Sequence, residues 1–276
     1  MDYLVEYFHE QIDCYHNIGL PEIILHMHNH FELYLFISGD CRYFVDGKAI
    51  ELQKGHLLFL NNNQIHGPKV LSDAVYERIS IHFSPKFAQK LSSSQTALLK
   101  PFEEGAGLAL LDADEFIEMK SLMIQLTQEY RHPSSYGHDL EVSSLLTRIL
   151  LLSVRATNKE NQTFSPHHFP ELISDLLLFI QENVSDPDLS IDLIAQEFAH
   201  SGIYLNRLFK QELGSSIYQY ILLSRISAAK KYLEAGENVQ SSCLLSGFND
   251  YSNFIRTFKK ITGMTPKQYA KLFRIS

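Results

Sequence analysis

Residues 247–269 read Gly247-Phe248-Asn249-Asp250-Tyr251-Ser252-Asn253-Phe254-Ile255-Arg256-Thr257-Phe258-Lys259-Lys260-Ile261-Thr262-Gly263-Met264-Thr265-Pro266-Lys267-Gln268-Tyr269. Gly247 ends one helical stretch, Asp250 or Ser252 can accept hydrogen bonds from the free amides of a new helix, and Gly263 closes that helix before Pro266. Between the caps, Phe254, Phe258 and Ile261 recur at helical spacing and form a core stripe. Tyr251, Ser252, Ile255, Arg256 and Lys259 are left on the other faces, where they offer hydrogen-bonding and cationic groups. Helix, short turn, helix is the unit that presents one helix to a DNA major groove.

An earlier segment, Ser201-Gly202-Ile203-Tyr204-Leu205-Asn206-Arg207-Leu208-Phe209-Lys210-Gln211-Glu212-Leu213-Gly214, repeats the arrangement. Aligning Ser201 with Asp250 matches Leu205 to Phe254, Arg207 to Arg256, Phe209 to Phe258, Lys210 to Lys259 and Gly214 to Gly263. An internal repeat of this kind is evidence about architecture. Between the two units, Ile217 to Glu234 carries Ile221, Ile226, Ala229 and Leu233 among charged residues with no Gly or Pro, which predicts one long connecting helix. Two such units on a rigid connector can reach two successive major grooves on one face of DNA.

At these residues the C-terminal hundred or so positions resemble the DNA-binding domain of the AraC/XylS family of transcription regulators. The resemblance rests on the Gly-Phe at 247–248, Phe254, Arg256, Phe258-Lys259-Lys260, and Gly263 with Thr265, Pro266 and Tyr269, and the first unit matches independently. It implies an operator-binding protein with Ile203, Asn206 and Arg207 of the first reader, and Tyr251, Ser252 and Arg256 of the second, facing bases. Arg gives two donors to guanine, Asn pairs with adenine, and Ile touches a thymine methyl. Lys210, Lys259 and Lys260 are expected on phosphates, which position without specifying. The resemblance also implies a homodimer and, for an activator, contact with RNA polymerase. One departure stands out: Ser242-Cys243 occupies the place of the family's usual Ile-Ala, which predicts looser packing of the helix ahead of the second reader.

A net charge of -8 looks wrong for a DNA binder until the chain is divided. Residues 1–165 hold 13 Lys+Arg against 21 Asp+Glu, whereas Phe198 to the end holds 11 against 4. Positive charge therefore gathers where both readers lie, although an ordinary solvated face would carry the same excess. Cys14, Cys41 and Cys243 are too few and too scattered for a disulfide framework or a zinc knuckle. The first residues show no basic segment followed by an apolar core, and no apolar run approaches membrane-spanning length, so the expectation is a soluble cytoplasmic protein.

From Glu22 to Phe83 the pattern changes to short runs rich in Ile, Leu, Phe, Tyr and Val, broken by Ser38-Gly39-Asp40, Asp46-Gly47-Lys48, Lys54-Gly55 and Asn61-Asn62-Asn63. Asp46-Gly47 between Tyr43-Phe44-Val45 and Ala49-Ile50 is a strong hairpin signal. Closely spaced strands with tight turns predict a small antiparallel barrel or jelly roll. Within it, His26-x-His28-x-x-x-Glu32 with Gly39 resembles the first cupin motif, and Gly55 with His66 resembles the second in spacing. Asn61 and Asn63 stand where cupins usually have Pro and Gly. A later strand carries Arg78 and His82.

His26, His28, Glu32 and His66 can hold a divalent transition metal, since imidazole and carboxylate suit such ions. The same groups, with Arg78 and His82, can instead line the pocket of a small-molecule effector, or be satisfied structural residues. Effector binding with no cofactor is the expectation, a sugar being the family-level choice of ligand. His30 and His56 read as surface or turn residues.

After Pro101 the pattern turns helical over Glu115–Tyr130 and Leu140–Val154, with enough apolar residues to need burial on more than one side. These helices either cover the barrel or form a dimer interface. Asn158–Pro170 is polar and broken and reads as a linker. The fold class is therefore two-domain α+β: a cupin-like antiparallel barrel over 1–105, covering helices over 106–157, a linker over 158–170, and an all-α DNA-binding domain over 171–276. The expected function is a transcription regulator, not an enzyme, whose barrel responds to a small molecule. Two alternatives stay open: a cupin metalloenzyme fused to a DNA-binding domain, and an architectural DNA binder whose barrel senses nothing.

Overall fold

The computed structural model describes residues 12–19, 25–103, 107–133, 136–157 and 166–273. Among them, nine strands form two antiparallel sheets. The strands are β1 (Ile12–Ile18), β2 (Phe31–Ser38), β3 (Cys41–Val45), β4 (Lys48–Glu51), β5 (His56–Leu60), β6 (His66–Val70), β7 (Glu77–Phe83), β8 (Gly107–Leu110) and β9 (Pro166–His167). One sheet has the order β1-β7-β2-β5-β8 and the other β6-β3-β4-β9. The Asp46-Gly47 hairpin forms where it is predicted. Both residues have positive φ, 45° and 85°, and Val45 pairs with Lys48 across the turn, the geometry that matches strand twist.

Side chains on a strand alternate between faces, and here the alternation separates two cores. Phe31, Leu33, Leu35 and Ile37 of β2, Leu57 and Phe59 of β5, and Ile79, Ile81 and Phe83 of β7 pack under helices α3 (Ala113–Arg131) and α4 (His138–Thr157). The intervening Tyr34, Phe36 and Leu58 turn inward with Cys41, Tyr43 and Val45 of β3. The two long helices thus cover the barrel, with Met119, Met123, Leu126, Leu146, Ile149 and Leu150 supplying the covering face. α3 starts on a capping box between Asp112 and Glu115, which answers free amides at its N-terminus. Two short helices, α1 (Pro85–Gln89) and α2 (Lys100–Glu103), lie between β7 and β8.

Two expected boundaries move. β8 lies beyond residue 105 and pairs with β5, so the barrel extends into the stretch expected to be helical. β9 lies within the expected linker and pairs with β4; residues 158–165 of that linker lie outside the described residues.

The C-terminal half is helical: α5 (Glu171–Glu182), α6 (Ile191–Glu197), α7 (Gly202–Leu213), α8 (Ile217–Glu234), α9 (Val239–Leu245), α10 (Tyr251–Thr262) and α11 (Pro266–Phe273). The internal repeat is visible residue by residue. α7 and α10 each have 12 residues; Ser201 caps the first through the Tyr204 amide and Asp250 caps the second through the Asn253 amide. Both end at a left-handed glycine, Gly214 with φ 71° and Gly263 with φ 77°. α8 is unbroken over 18 residues, a rod of about 27 Å at 1.5 Å per residue.

The expected looseness of the helix before the second reader does not occur. Ser242, Cys243 and Ser246 are buried, and the Ser242 and Ser246 hydroxyls donate to the Asn238 and Ser242 carbonyls at 2.9 and 2.6 Å. Small polar side chains fit because they bond back to their own helix. Gly247 is required at the following turn: its φ is +83°, and a Cβ there would lie 2.3 Å from the Val184 carbonyl oxygen.

Candidate functional site

The two reader helices bury one stripe and expose the other. Leu205, Phe209 and Leu213 of α7, and Phe254, Phe258 and Thr262 of α10, are buried. Ile203, Arg207, Lys210, Tyr251, Ser252, Arg256, Lys259 and Lys260 are exposed. Ile203 is 86% exposed, which is unusual for a side chain with no polar atom. The Arg207 guanidinium lies 5.8 Å from the Tyr204 ring.

Asn206 departs from the expected base-facing position. It is half-buried, and its side-chain oxygen accepts from the Ile217 amide at 3.0 Å. Ile217 opens α8, so this bond answers a helix-start amide that no intrahelical acceptor reaches and ties the first reader to the connector.

In the barrel, β2 and β7 put Glu32, Arg78 and His82 on the inward face, β6 contributes His66, and the loop before β2 contributes His26 and His28. His26 and His66 exchange backbone hydrogen bonds, each 3.0 Å, which fixes that loop to β6. The structure brings all six residues together. One carboxylate oxygen of Glu32, Oε2, lies 3.0 Å from His28 Nε2, 3.1 Å from His66 Nε2 and 3.2 Å from His82 Nε2. The other oxygen lies 3.6 Å from the Arg78 guanidinium. The rings of His28 and His66 are 4.8 Å apart, and those of His26 and His66 4.5 Å.

Burial lowers His28 well below the usual imidazole range and brings His30 down to about 4. For Glu32, burial pushes upward, but His82, His28 and His66 around it outweigh that and hold it well below the usual carboxylate range. His56, read as a surface or turn residue, closes the turn before β5: its amide donates to the Gln53 carbonyl at 2.9 Å, and its buried ring accepts from the Gln53 amide through Nδ1 at 3.0 Å.

The side chains that join the two halves carry no motif. Lys230, fully buried in α8, donates to the His28 carbonyl at 3.0 Å and to the Asn62 carbonyl, and burial pulls its ammonium down to about 7. Asn63 donates to both oxygens of Glu234 at 3.2 and 3.0 Å. Asn29 donates to the Thr262 carbonyl at the end of α10 at 2.7 Å, and Lys69 donates to the Gln211 carbonyl at the end of α7 at 2.5 Å. Leu25, Met27, Phe44 and Ile65 of the barrel join the helical core. The available signals were a lysine beside Ala229 on an otherwise apolar stripe and the Asn61-Asn62-Asn63 run, which reads as an ordinary turn.

A model of the AraC-like ligand-binding domain matches residues 12–150, and a model of a helix-turn-helix domain matches residues 194–272. The melibiose operon regulatory protein of Escherichia coli is 23% identical over 256 residues, covering 90% of this chain and 83% of that protein. The transcriptional activator RhaR of Escherichia coli is 22% identical over 253 residues, covering 90% and 86%. Among solved structures, the C-terminal domain of AraT from Geobacillus stearothermophilus aligns at 27% identity with a TM-score of 0.39, covering 40% of this chain and 92% of that one. No helix among the described residues is long and apolar enough to cross a membrane.

Proposed function

The chain belongs to the AraC family of transcription regulators, with an AraC-like ligand-binding domain and a helix-turn-helix domain, and from that premise we propose that it reads an operator with α7 and α10 under control of a small molecule bound in the barrel. One observation carries the DNA reading: two helices of equal length and matching caps expose Ile203 and Arg207 in one and Tyr251, Ser252 and Arg256 in the other. Held by one rigid α8, they suit two major-groove segments about 10 base pairs apart. Arg207 and Arg256 take the guanine-reading role, Ile203 a thymine methyl, and Lys210, Lys259 and Lys260 the phosphates. Asn206 is left out because its oxygen already serves α8.

Control follows from linkage. The effector shifts the regulator only by its different affinity for two domain arrangements. The loop holding His28 and Asn29 touches both Lys230 of α8 and the last turn of α10, so a ligand that moves this loop moves the readers. His26, His28, Glu32, His66, Arg78 and His82 are the proposed effector residues. Their mixed charge suits an oxygen-rich molecule, with a sugar first in the panel because a melibiose operon regulator is among the relatives. A homodimer binding two operator copies, and polymerase contact by an activator, complete the proposal.

Selecting bound sequences from a random DNA pool with the full chain tests the DNA reading. The expected result is a two-part site, with Arg207→Ala costing roughly 1–3 kcal/mol and relaxing preference at one position. Equal weakening on all sequences would reduce Arg207 to a phosphate contact. For the sensor, thermal unfolding against sugars, sugar phosphates and small acids should give a shift with one class that is lost in Glu32→Ala.

A further inference from the structure

Each reader sits in its own unit, α7 with α5 and α6, α10 with α9 and α11, and α8 is the element on which both readers pack. A single helix joining two units leaves their relative twist open to its own bending. The barrel adds contacts at matching places on the two readers. In the last turn of α7, Lys69 of β6 donates to the Gln211 carbonyl at 2.5 Å, and the guanidinium of Arg42, its cross-strand partner on β3, lies 3.5 Å from the Glu212 carboxylate. At the last residue of α10, Asn29 donates to the Thr262 carbonyl at 2.7 Å. Carbonyls in a final helical turn have no amide of their own helix to accept from, so both hydrogen bonds land on groups that the helices themselves leave unanswered. Ile203, Arg207, Ser252 and Arg256 stay exposed with these contacts in place, so the docking takes nothing from the reading faces.

The anchor between these two clamps is the Asn61-Asn62-Asn63 turn, where cupins usually have Pro and Gly. The turn is closed on itself, Asn61 Oδ1 accepting from the Asn63 amide at 2.9 Å, and it offers its backbone to α8. The Asn63 carbonyl accepts from Ser227 Oγ at 2.9 Å, and the Asn62 carbonyl from the completely buried Lys230. Asn63 Nδ2 donates to both oxygens of Glu234, the last residue of α8, and Tyr269 of α11 donates to the same carboxylate. Pulling the turn away would strand a buried ammonium and a carboxylate built around it, a cost that favours one docked position. We propose that the barrel is a brace: docked through Asn61–Asn63, it uses Lys69 and Asn29 to fix the separation and twist of the two readers, and so sets the operator spacing that the protein accepts. The inference rests on the reading of α7 and α10 as operator readers and extends it, since bases are then chosen by the readers and spacing by barrel residues that touch no DNA. One base pair added between the two parts of a site turns the second part by about 34° and shifts it by about 3.4 Å, a change that an unbraced α8 absorbs by bending and a braced one resists.

The test is the affinity of the full chain for its selected two-part site, for the same site with one base pair inserted or removed between the parts, and for DNA carrying one part alone. Wild type is compared with Asn63→Ala and with the double variant Asn29→Ala/Lys69→Ala. In each variant the preference for the selected spacing should shrink by roughly threefold to tenfold, the size of one or two ordinary hydrogen bonds, while binding to a single part stays within about twofold of wild type. Lys69→Ala alone removes an exposed bond and keeps the measurement decisive where another variant does not fold. A spacing preference unchanged in folded variants would overturn the brace and leave the readers standing. Equal losses on single parts and on the whole site would overturn it as well, by making these residues supports of the readers themselves. A wild-type chain that selects no two-part site would overturn the reader assignment and the brace with it.

Discussion

The reader helices and the barrel cluster handle polar groups in opposite ways. On α7 and α10 the side chains of Arg207, Tyr251, Ser252 and Arg256 are exposed. Phe209, Phe254 and Phe258 hold the helices in place, leaving Arg207 and Arg256 available to an outside partner. In the barrel, Glu32, His66 and His82 are almost wholly removed from solvent and each depends on the others or on a ligand. A surface charge costs little to display, whereas a buried one must be answered where it lies. On the proposed reading, the first region waits for a partner that arrives, and the second holds groups that must be satisfied where they lie.

The sharpest way to break that contrast is Glu32→Ala. Removing one member of a buried charged cluster costs roughly 3–5 kcal/mol, so denaturant unfolding should show the barrel weakened by an amount in that range; a change under 1 kcal/mol would mean that the cluster is not mutually dependent. The pH dependence has a definite sign. Because the Glu32 carboxyl is held low in the folded chain, its contribution is complete above the ordinary carboxylate range and is lost as pH falls through the folded value. Acid titration of wild type against Glu32→Gln measures that difference, and parallel curves would contradict it.

Arg256→Ala should do the reverse. Folding stability stays within about 0.5 kcal/mol, as for a surface site, while specific DNA binding loses roughly 1–3 kcal/mol. Ser201→Ala and Asp250→Ala come next: each removes a cap and should cost about 1 kcal/mol of stability. Equal losses would show that the two readers match energetically as well as in shape. Smallest is Lys259→Ala, for which binding should weaken evenly across sequences and the salt slope should fall by about one.

The same contrast explains what could be read from the sequence. Readers are written locally: Ser201, Asp250, Gly214 and Gly263 mark ends, Phe254 and Phe258 mark a face, and every signal lies within one helical turn or two. The Asp46-Gly47 hairpin belongs to this class. The barrel residues His26, His28, Glu32 and His66 were legible as a spacing, but their convergence depends on β2, β6 and the preceding loop meeting across two sheets. Lys230 and Asn29 were missed because their partners lie more than two hundred residues away and an isolated lysine or asparagine carries no period. The bond from the Asn206 oxygen to the first turn of a helix eleven residues on is hidden in the sequence for a related reason.

The most direct test of the central claim is base-resolved: affinity of the full chain, Arg207→Ala and Arg256→Ala for every single-base variant of the selected site, at one salt concentration. Each substitution should abolish preference at one position only, the two positions lying about one helical turn apart. Uniform weakening by both, with all preferences retained, would contradict the assignment of α7 and α10 as readers.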